Sequence, residues 1–295
     1  MNTDVSSTPR RIGHLGPPGT HGEEALRAAL GGHAASAEMV ALDSNGDVVR
    51  AVESGEVDAG FVPIENSIEG AVTETLDALV HDAPRVRIVG EVIWPAHHAL
   101  IAADDIPLEE IAIVTSHPQA LAQCAGFIKD SLPCAERLAQ VSTAGAVRHA
   151  VLQGGGYAAI GSRIAAEIYG GVVLAEQIED VAGNKTRFVW LAREEFVPPW
   201  AGENDAQTVK TSLVFSGFND TSPGGLVSIL DEFAKREVNM SKIESRPERT
   251  SLGHYLFFVD LDGSAEDAQL AAAIEAVRAK VKTLRVLGSF EAFEA

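Results

Sequence analysis

From Arg11 onward, short runs of apolar and β-branched residues alternate with longer stretches whose apolar positions recur every three or four residues. The spacing predicts a strand over 11–16, a helix over 19–30 and a strand over 39–42. Ser44 with Asp47 three residues on has the form of a capping box, so a helix is expected over 47–56 with Val48, Ala51 and Val52 on one face. The unbroken apolar run from Ala59 to Ile64 reads as a buried strand, and 70–80 as a helix that turns Val72, Leu76, Leu79 and Val80 inward. An extended run over 86–102, crossing Pro95, is longer than one strand needs and is expected to link two lobes. Beyond it the alternation resumes: strand 111–115, helix 118–129, strand 137–141, helix 143–152, strand 157–161 and helix 164–169, then strands over 172–178 and 187–192. Such alternation is the mark of an α/β fold with parallel strands, and two α/β lobes enclose a cleft suited to a small molecule.

The rhythm changes after Pro198-Pro199-Trp200, which opens a proline-rich, then polar stretch that reads as a linker over 196–208. The remainder of the chain has the order βαββαβ: strand 210–218, helix 224–236, strand 238–245, strand 254–260, helix 264–281 and strand 283–290. That order is the split βαβ, ferredoxin-like arrangement. Ser264 and Asp267 are expected to cap the last helix, whose stripe is Leu270, Ile274, Val277 and Val281. The expected layout is a two-lobed unit over 10–195, its second lobe at about 97–172, and a smaller unit over 209–295.

Composition narrows the functional classes. The chain has 295 residues, is 46% hydrophobic and carries a formal net charge of -19, which repels a nucleic-acid backbone, so an anionic substrate would need a locally positive site. The first eleven residues lack an apolar export segment, and no apolar stretch approaches membrane-spanning length, so a cytoplasmic protein that engages neither membrane nor nucleic acid is expected. Cys124 and Cys134 have no metal-ligand spacing and are expected to stay free thiols. His97, His98 and His117 lack a carboxylate spaced to complete a metal site, and adjacent histidines in an extended segment point to opposite faces; no metal is expected.

The chemistry-bearing residues sit where strands end. Thr186-Arg187-Phe188 puts a hydroxyl beside a cation, where a small anion could be held and protonated. Gly16-Pro17-Pro18-Gly19-Thr20 follows a strand and opens a helix; it is either an anion-binding turn or a tight connection. Glu65, Asn66 and Ser67 end an apolar strand, where a carboxylate could serve as acid or base, or where the three could only satisfy the next turn. Ser116, before His117-Pro118, has the position of a helix N-cap, and Gln123 lies two turns on. Ser142-Thr143-Ala144 repeats such a helix start. Two such starts opposite Thr186 and Arg187 favour a dicarboxylate or phosphate pocket. In the smaller unit, Glu244-Ser245-Arg246-Pro247 ends a strand and is either a charged edge or a ligand and dimer surface.

Taken together, Gly16-Pro17-x-Gly19-Thr20, Pro63-Ile64-Glu65-Asn66-Ser67, Ser116-His117-Pro118-Gln119-Ala120-Leu121-x-Gln123-Cys124, Ser142-Thr143-Ala144, Thr186-Arg187-Phe188 and Glu244-Ser245-Arg246-Pro247 stand in an order that resembles the bacterial monofunctional prephenate dehydratases with a C-terminal ACT domain. The resemblance runs from about Arg11 to Phe293. It implies a periplasmic-binding-protein-like catalytic unit and a cofactor-free conversion of prephenate to phenylpyruvate. It places Thr186 at the chemistry, with Glu65 and Arg187 as further catalytic candidates, and Asn66, Ser67, Ser116, Gln123, Ser142, Thr143, Thr20 and Phe188 around the substrate. It implies L-phenylalanine as effector, bound between subunits of a homodimer or homotetramer by Gly224, Gly225, Leu226, Val227, Asn239, Glu244, Ser245, Arg246 and Pro247. One departure is His21-Gly22, where the family usually carries an aromatic residue and a serine. Arogenate dehydration and non-catalytic amino-acid or solute binding are the rival expectations.

Overall fold

The structure, a computed structural model, describes residues 11–193, 208–218, 223–249 and 252–294, with only the backbone for the last two. The first lobe contains β1 (Arg11–Leu15), α1 (His21–Leu30), β2 (Glu38–Leu42), α2 (Asn45–Ser54), β3 (Ala59–Asn66), the two-residue β4 (Gly70–Ala71), α3 (Thr73–His81) and β5 (Arg87–Pro95). The second holds β6 (Ala99–Ala102), β7 (Ile113–Ser116), α4 (Pro118–Gln123), α5 (Ala125–Ser131), β8 (Glu136–Ala139), α6 (Thr143–Gln153), β9 (Tyr157–Gly161), α7 (Arg163–Tyr169) and β10 (Val172–Ala175). The chain returns to the first lobe as β11 (Lys185–Ala192). The C-terminal unit is β12 (Thr208–Ser216), α8 (Gly225–Ala234), β13 (Met240–Pro247), β14 (Tyr255–Asp262), α9 (Ala268–Arg278) and β15 (Thr283–Glu294), the expected βαββαβ order.

Local chemistry explains most boundaries. The hydroxyls of Thr20, Ser44, Ser142 and Ser162 accept backbone N–H bonds that would otherwise be orphaned at the starts of α1, α2, α6 and α7. Where expectation and structure part, a specific contact decides. The helix expected over 70–80 starts at Thr73, because Gly70 and Ala71 pair with Asn66 and Glu65 as β4. The helix expected over 118–129 breaks at Cys124, and the last helix starts at Ala268, because Asp267 Oδ2 accepts from Ser264 N in the turn before it. The first lobe is parallel only in part: β1 runs parallel to β2 and β3, whereas β11, arriving from the second lobe, is antiparallel to both β3 and β5.

The second lobe is built on a five-stranded sheet in the order β10-β6-β9-β7-β8. The first lobe and the C-terminal unit share one ten-stranded sheet, β13-β14-β12-β15-β5-β11-β3-β1-β2 with β4 on β3. The seam is a parallel pairing of β15 with β5, which sets Ala292 opposite Glu91. A Cβ on Gly288 would overlap the carbonyl oxygen of Ile88 and stand 3.0 Å from its carbonyl carbon, so this approach of β15 requires glycine. Helices α2 and α3 cover one face of the sheet. Their core, with Val48, Val52, Leu76 and Leu79, continues into Val214, Leu256, Phe258, Leu287 and Phe290 of the C-terminal unit. Helix α1 covers the other face of the first lobe over Ile12, Phe61, Phe188 and Trp190. Polar ties add to this apolar seam: Arg285 donates to the carbonyls of Leu79, Ala83 and Val86, at and just beyond the C-terminal end of α3, and Arg246 and Arg249 meet Asp77 at 2.8 and 2.6 Å. The linker expected over 196–208 lies, apart from Thr208, outside the described residues.

Candidate active site

Strands β3 and β11 run antiparallel with Thr186 opposite Asn66 and Arg187 opposite Glu65. Successive side chains in a strand take opposite faces, so the two pairs lie on opposite sides of the sheet. On the face that carries Phe188 and Trp190, Asn66 Nδ2 donates to Thr186 Oγ1 at 2.9 Å and to Asn184 Oδ1 at 2.9 Å. Asn66 Oδ1 accepts from the backbone N–H groups of Ile68 and Glu69, at 2.9 and 3.1 Å. Those two donors fix the amide orientation, because only the oxygen can receive them. Thr186 therefore accepts a hydrogen bond at its oxygen and keeps its own hydrogen to give elsewhere. Ser67 completes the cluster, donating to Asn184 Oδ1 at 3.3 Å and accepting from Lys185 N at 3.0 Å.

Asn184 borders a cavity of 280 Å³ between the lobes, facing Gln119, Ala122 and Gln123 of α4, with Ile68 and Glu69 on its own side. Glu179 and Asp180 also line it, but both are engaged. Asp180 accepts from Gly126 N and Phe127 N at the start of α5, and Glu179 accepts from His98 N and meets His97 Nδ1. These contacts outweigh burial and hold the Glu179 carboxyl below its ordinary range. No arginine or lysine is among the lining residues. On the second-lobe side, His98 Nε2 lies 2.8 Å from Gln123 Oε1, and the His21 ring meets the His98 ring edge-on at 5.0 Å. A larger cavity of 520 Å³ lies between α3 and the C-terminal unit, lined by Arg278, Lys282 and Arg285 and by none of the residues above, so it is not the candidate site.

Arg187 and Glu65 occupy the other face. Arg187 bonds to Glu91, Asp260 and Glu65; Lys210 joins Glu91 at 2.7 Å, and Lys242 joins Glu65 at 2.9 Å. Burial opposes the Arg187 charge, but Asp260 and Glu91 more than offset it and hold the guanidinium more firmly protonated than usual. Arg187, expected to grip a substrate carboxylate, bonds through Nε and Nη1 to three protein carboxylates on the face away from Thr186, while its buried Nη2 has no hydrogen-bond partner. Glu65 shares that network and does not stand beside Thr186. Ser116 is not a helix cap either. Its buried hydroxyl donates to Ile160 O, and His117 caps α4 instead. Thr20 and Ser142 spend their hydroxyl oxygens capping α1 and α6, Thr143 opens α6, and Phe188 stacks on Phe61 at 4.9 Å. Sequence reasoning missed Asn184, although it precedes the Thr186 motif by two residues, and set His98 aside with the metal candidates. Among the described residues no group of histidine, cysteine, aspartate or glutamate is placed to hold a metal ion.

The family profile described as prephenate dehydratase matches residues 12–196, well over half of the chain. The chain belongs to the prephenate dehydratase family. The ACT domain profile matches residues 212–279. A prephenate dehydratase from Amycolatopsis methanolica is 38% identical over 95% of this chain and 88% of its own length. Among solved structures, prephenate dehydratase from Arthrobacter aurescens in complex with L-Phe is 36% identical, with a TM-score of 0.83 over 95% of this chain and 90% of that one. GqqA, described as a novel type of quorum-quenching acylase, is 27% identical, with a TM-score of 0.82 over 96% of this chain and 98% of that one.

In the ACT unit, Gly224 takes a left-handed φ of 88° to start α8, which glycine adopts without strain. Gly225, Leu226 and Val227 form the first turn of α8, and Val227 is exposed. Asn239 Nδ2 donates to Asp262 Oδ2 at 2.6 Å. Glu244, Ser245, Arg246 and Pro247 end β13, an edge strand whose residues alternate between half-buried and exposed. Arg246 is turned toward Asp77 of α3, so this segment touches the first lobe as well as the sheet edge.

Proposed function

We propose that this chain converts prephenate to phenylpyruvate, carbon dioxide and water in the cavity between its lobes. The ring carboxylate leaves as carbon dioxide, its C–C electron pair completes the aromatic ring, the ring C–O bond breaks, and one proton from solvent turns the departing hydroxyl into water. Aromatisation supplies the driving force, so the protein needs chiefly to hold the substrate and assist the leaving group. The observation that carries this reading is the fixed Asn66 amide, which donates to Thr186 Oγ1 and frees the Thr186 hydrogen for that hydroxyl. Asn66, Ser67 and Gln123 surround the substrate, while Glu65 and Arg187 act from behind the strands as positioning residues. Thr20, Ser116, Ser142, Thr143 and Phe188 shape the cleft by fixing helix starts and strand ends.

The ACT unit binds L-phenylalanine and inhibits turnover, using Gly224 to Val227, Asn239 and Glu244 to Pro247 in a homo-oligomer. Support comes from β13, which carries the effector segment and reaches the catalytic strand directly through Lys242 and Glu65. The chain works in the cytoplasm, divided near 196–208 into catalytic and regulatory parts. Phenylpyruvate formation by the purified chain tests the activity; a folded Thr186→Val enzyme with unchanged turnover removes Thr186 from the chemistry. Parallel assays on arogenate and on an acylated amide separate this reading from an arogenate dehydratase and from an acylase. Calorimetry with L-phenylalanine and light scattering test the regulation and assembly.

A further inference from the structure

We infer that His98 is a positioning residue of the cavity, whose Nε2–H holds the Gln123 amide so that its N–H groups are presented to a carboxylate oxygen of the substrate. This deepens the prephenate reading and rests on it. The Gln123 oxygen lies 2.8 Å from His98 Nε2, and in the tautomer with its hydrogen on Nε2 the ring donates to that oxygen and leaves Nδ1 an acceptor. His98 is 5% exposed, yet its Nδ1 has no hydrogen-bond partner; nor has the buried Gln123 Nε2, nor His21 Nε2, while His21 Nδ1 lies 3.6 Å from the Glu24 carboxylate. Buried polar atoms are almost always satisfied, so open nitrogens on three neighbouring side chains mark where a ligand completes the set. Gln123 lines the 280 Å³ cavity opposite Asn184, the residue that joins Asn66 and Thr186. With Glu179 and Asp180 engaged and no arginine or lysine among its lining residues, the Gln123 amide is a neutral donor that the second-lobe wall of this cavity offers an anion, with the Glu69 carboxylate also on the lining. Burial, reinforced by His21, lowers the His98 pKa and keeps the ring in the neutral form that this donor and acceptor arrangement needs. His97 turns the other way, toward Glu179.

Steady-state kinetics on prephenate with the full chain test the inference. His98→Phe, which keeps a ring but loses the donor, is expected to raise KM about tenfold with little change in kcat, the worth of one hydrogen bond to a charged group. His98→Gln, whose amide N–H reaches the same place, is expected to restore most of the loss. In a Gln123→Leu background His98→Phe is expected to add nothing, because both changes remove one interaction. Gln123→Glu leaves His98 in place, turns a carboxylate oxygen to the cavity, and should raise KM more than Gln123→Leu. A wild-type KM in His98→Phe, an equal loss in both backgrounds, or equal KM values for Gln123→Glu and Gln123→Leu overturns the inference while wild-type turnover leaves the functional reading intact. Absence of prephenate turnover in the wild-type chain overturns both.

Discussion

Replacing Arg187 by methionine tests the assignment that departs furthest from the sequence. The substitution leaves Glu91, which is fully buried, with Lys210 as an ion partner, and Asp260, 7% exposed, with Ser212. Removing one member of a buried pair costs about 3–5 kcal/mol because the other charge is left uncompensated. Lys210 still neutralises Glu91, so the lower end, about 3 kcal/mol, is expected. In a chain of this size 1 kcal/mol moves the melting temperature by about 2 °C, so Tm should drop by about 6 °C in a thermal melt followed by circular dichroism. Arg187→Met combined with Glu91→Gln and Asp260→Asn removes the stranded charges and should recover most of that loss. Because Thr186 lies on the opposite face, the folded Arg187→Met enzyme should keep its KM for prephenate within about threefold, less than one hydrogen bond to a charged group is worth. An unchanged Tm with a KM raised about a hundredfold, the size of a lost charged contact, would refute this and return Arg187 to the substrate.

Asn66→Leu removes the donor to Thr186 and the acceptor of two turn N–H groups, so kcat should fall about tenfold or more and Tm by a few degrees; full kcat in a folded variant would show that Thr186 needs no such partner. Gly288→Ala puts a methyl against the Ile88 carbonyl and should open the β15–β5 seam, detected as rapid amide exchange in β5 and a loss of at least about 2 kcal/mol in urea melts. Asp77→Asn weakens the tie to Arg246 and Arg249 and should shift the L-phenylalanine concentration for half inhibition; identical inhibition curves would exclude this contact from the coupling. His14 and His98 are buried, and desolvation is the main cause of their lowered pKa values. Below the unfolded-state value of about 6.5 the unfolded chain takes up protons that the fold refuses, so stability should fall as pH drops through 6 and stay flat above 7. His98→Gln should reduce that slope by no more than about 1.4 kcal/mol per pH unit, and an unchanged slope would count against a neutral His98.

Period and capping carried the order and type of most elements, though not every boundary. Helix α2 begins at Asn45, behind the Ser44 cap that the capping-box spacing announced, and β9 spans the predicted 157–161, because strand and helix propensities and N-caps act over a few residues. The motif order also named Thr186 and Asn66, which meet across β3 and β11, and Gln123 across the cavity. What local patterns did not carry was the face each residue takes. Thr186 and Arg187 are neighbours in the chain and opposites in the sheet; only the pairing of β11 with β3 and β5 shows that Thr186 meets Asn66 while Arg187 meets three acidic groups. The same applies to Asn184, His21 and His98, whose partners lie 118 residues away for Asn184 and 25 for His98.

The sequence by itself determined the strand and helix order, the two α/β lobes and the βαββαβ unit, since hydrophobic period and turn chemistry are properties of short segments. The tertiary structure alone decided that the last unit adds its strands to the first lobe's sheet and shares its core, and that Thr186 faces Asn66 while the cation beside it is turned to the opposite face. Those outcomes depend on contacts between residues far apart in the chain, 73 to 122 positions for Arg187 and its carboxylates, and on the single geometric fact that adjacent side chains in a strand leave it on opposite sides.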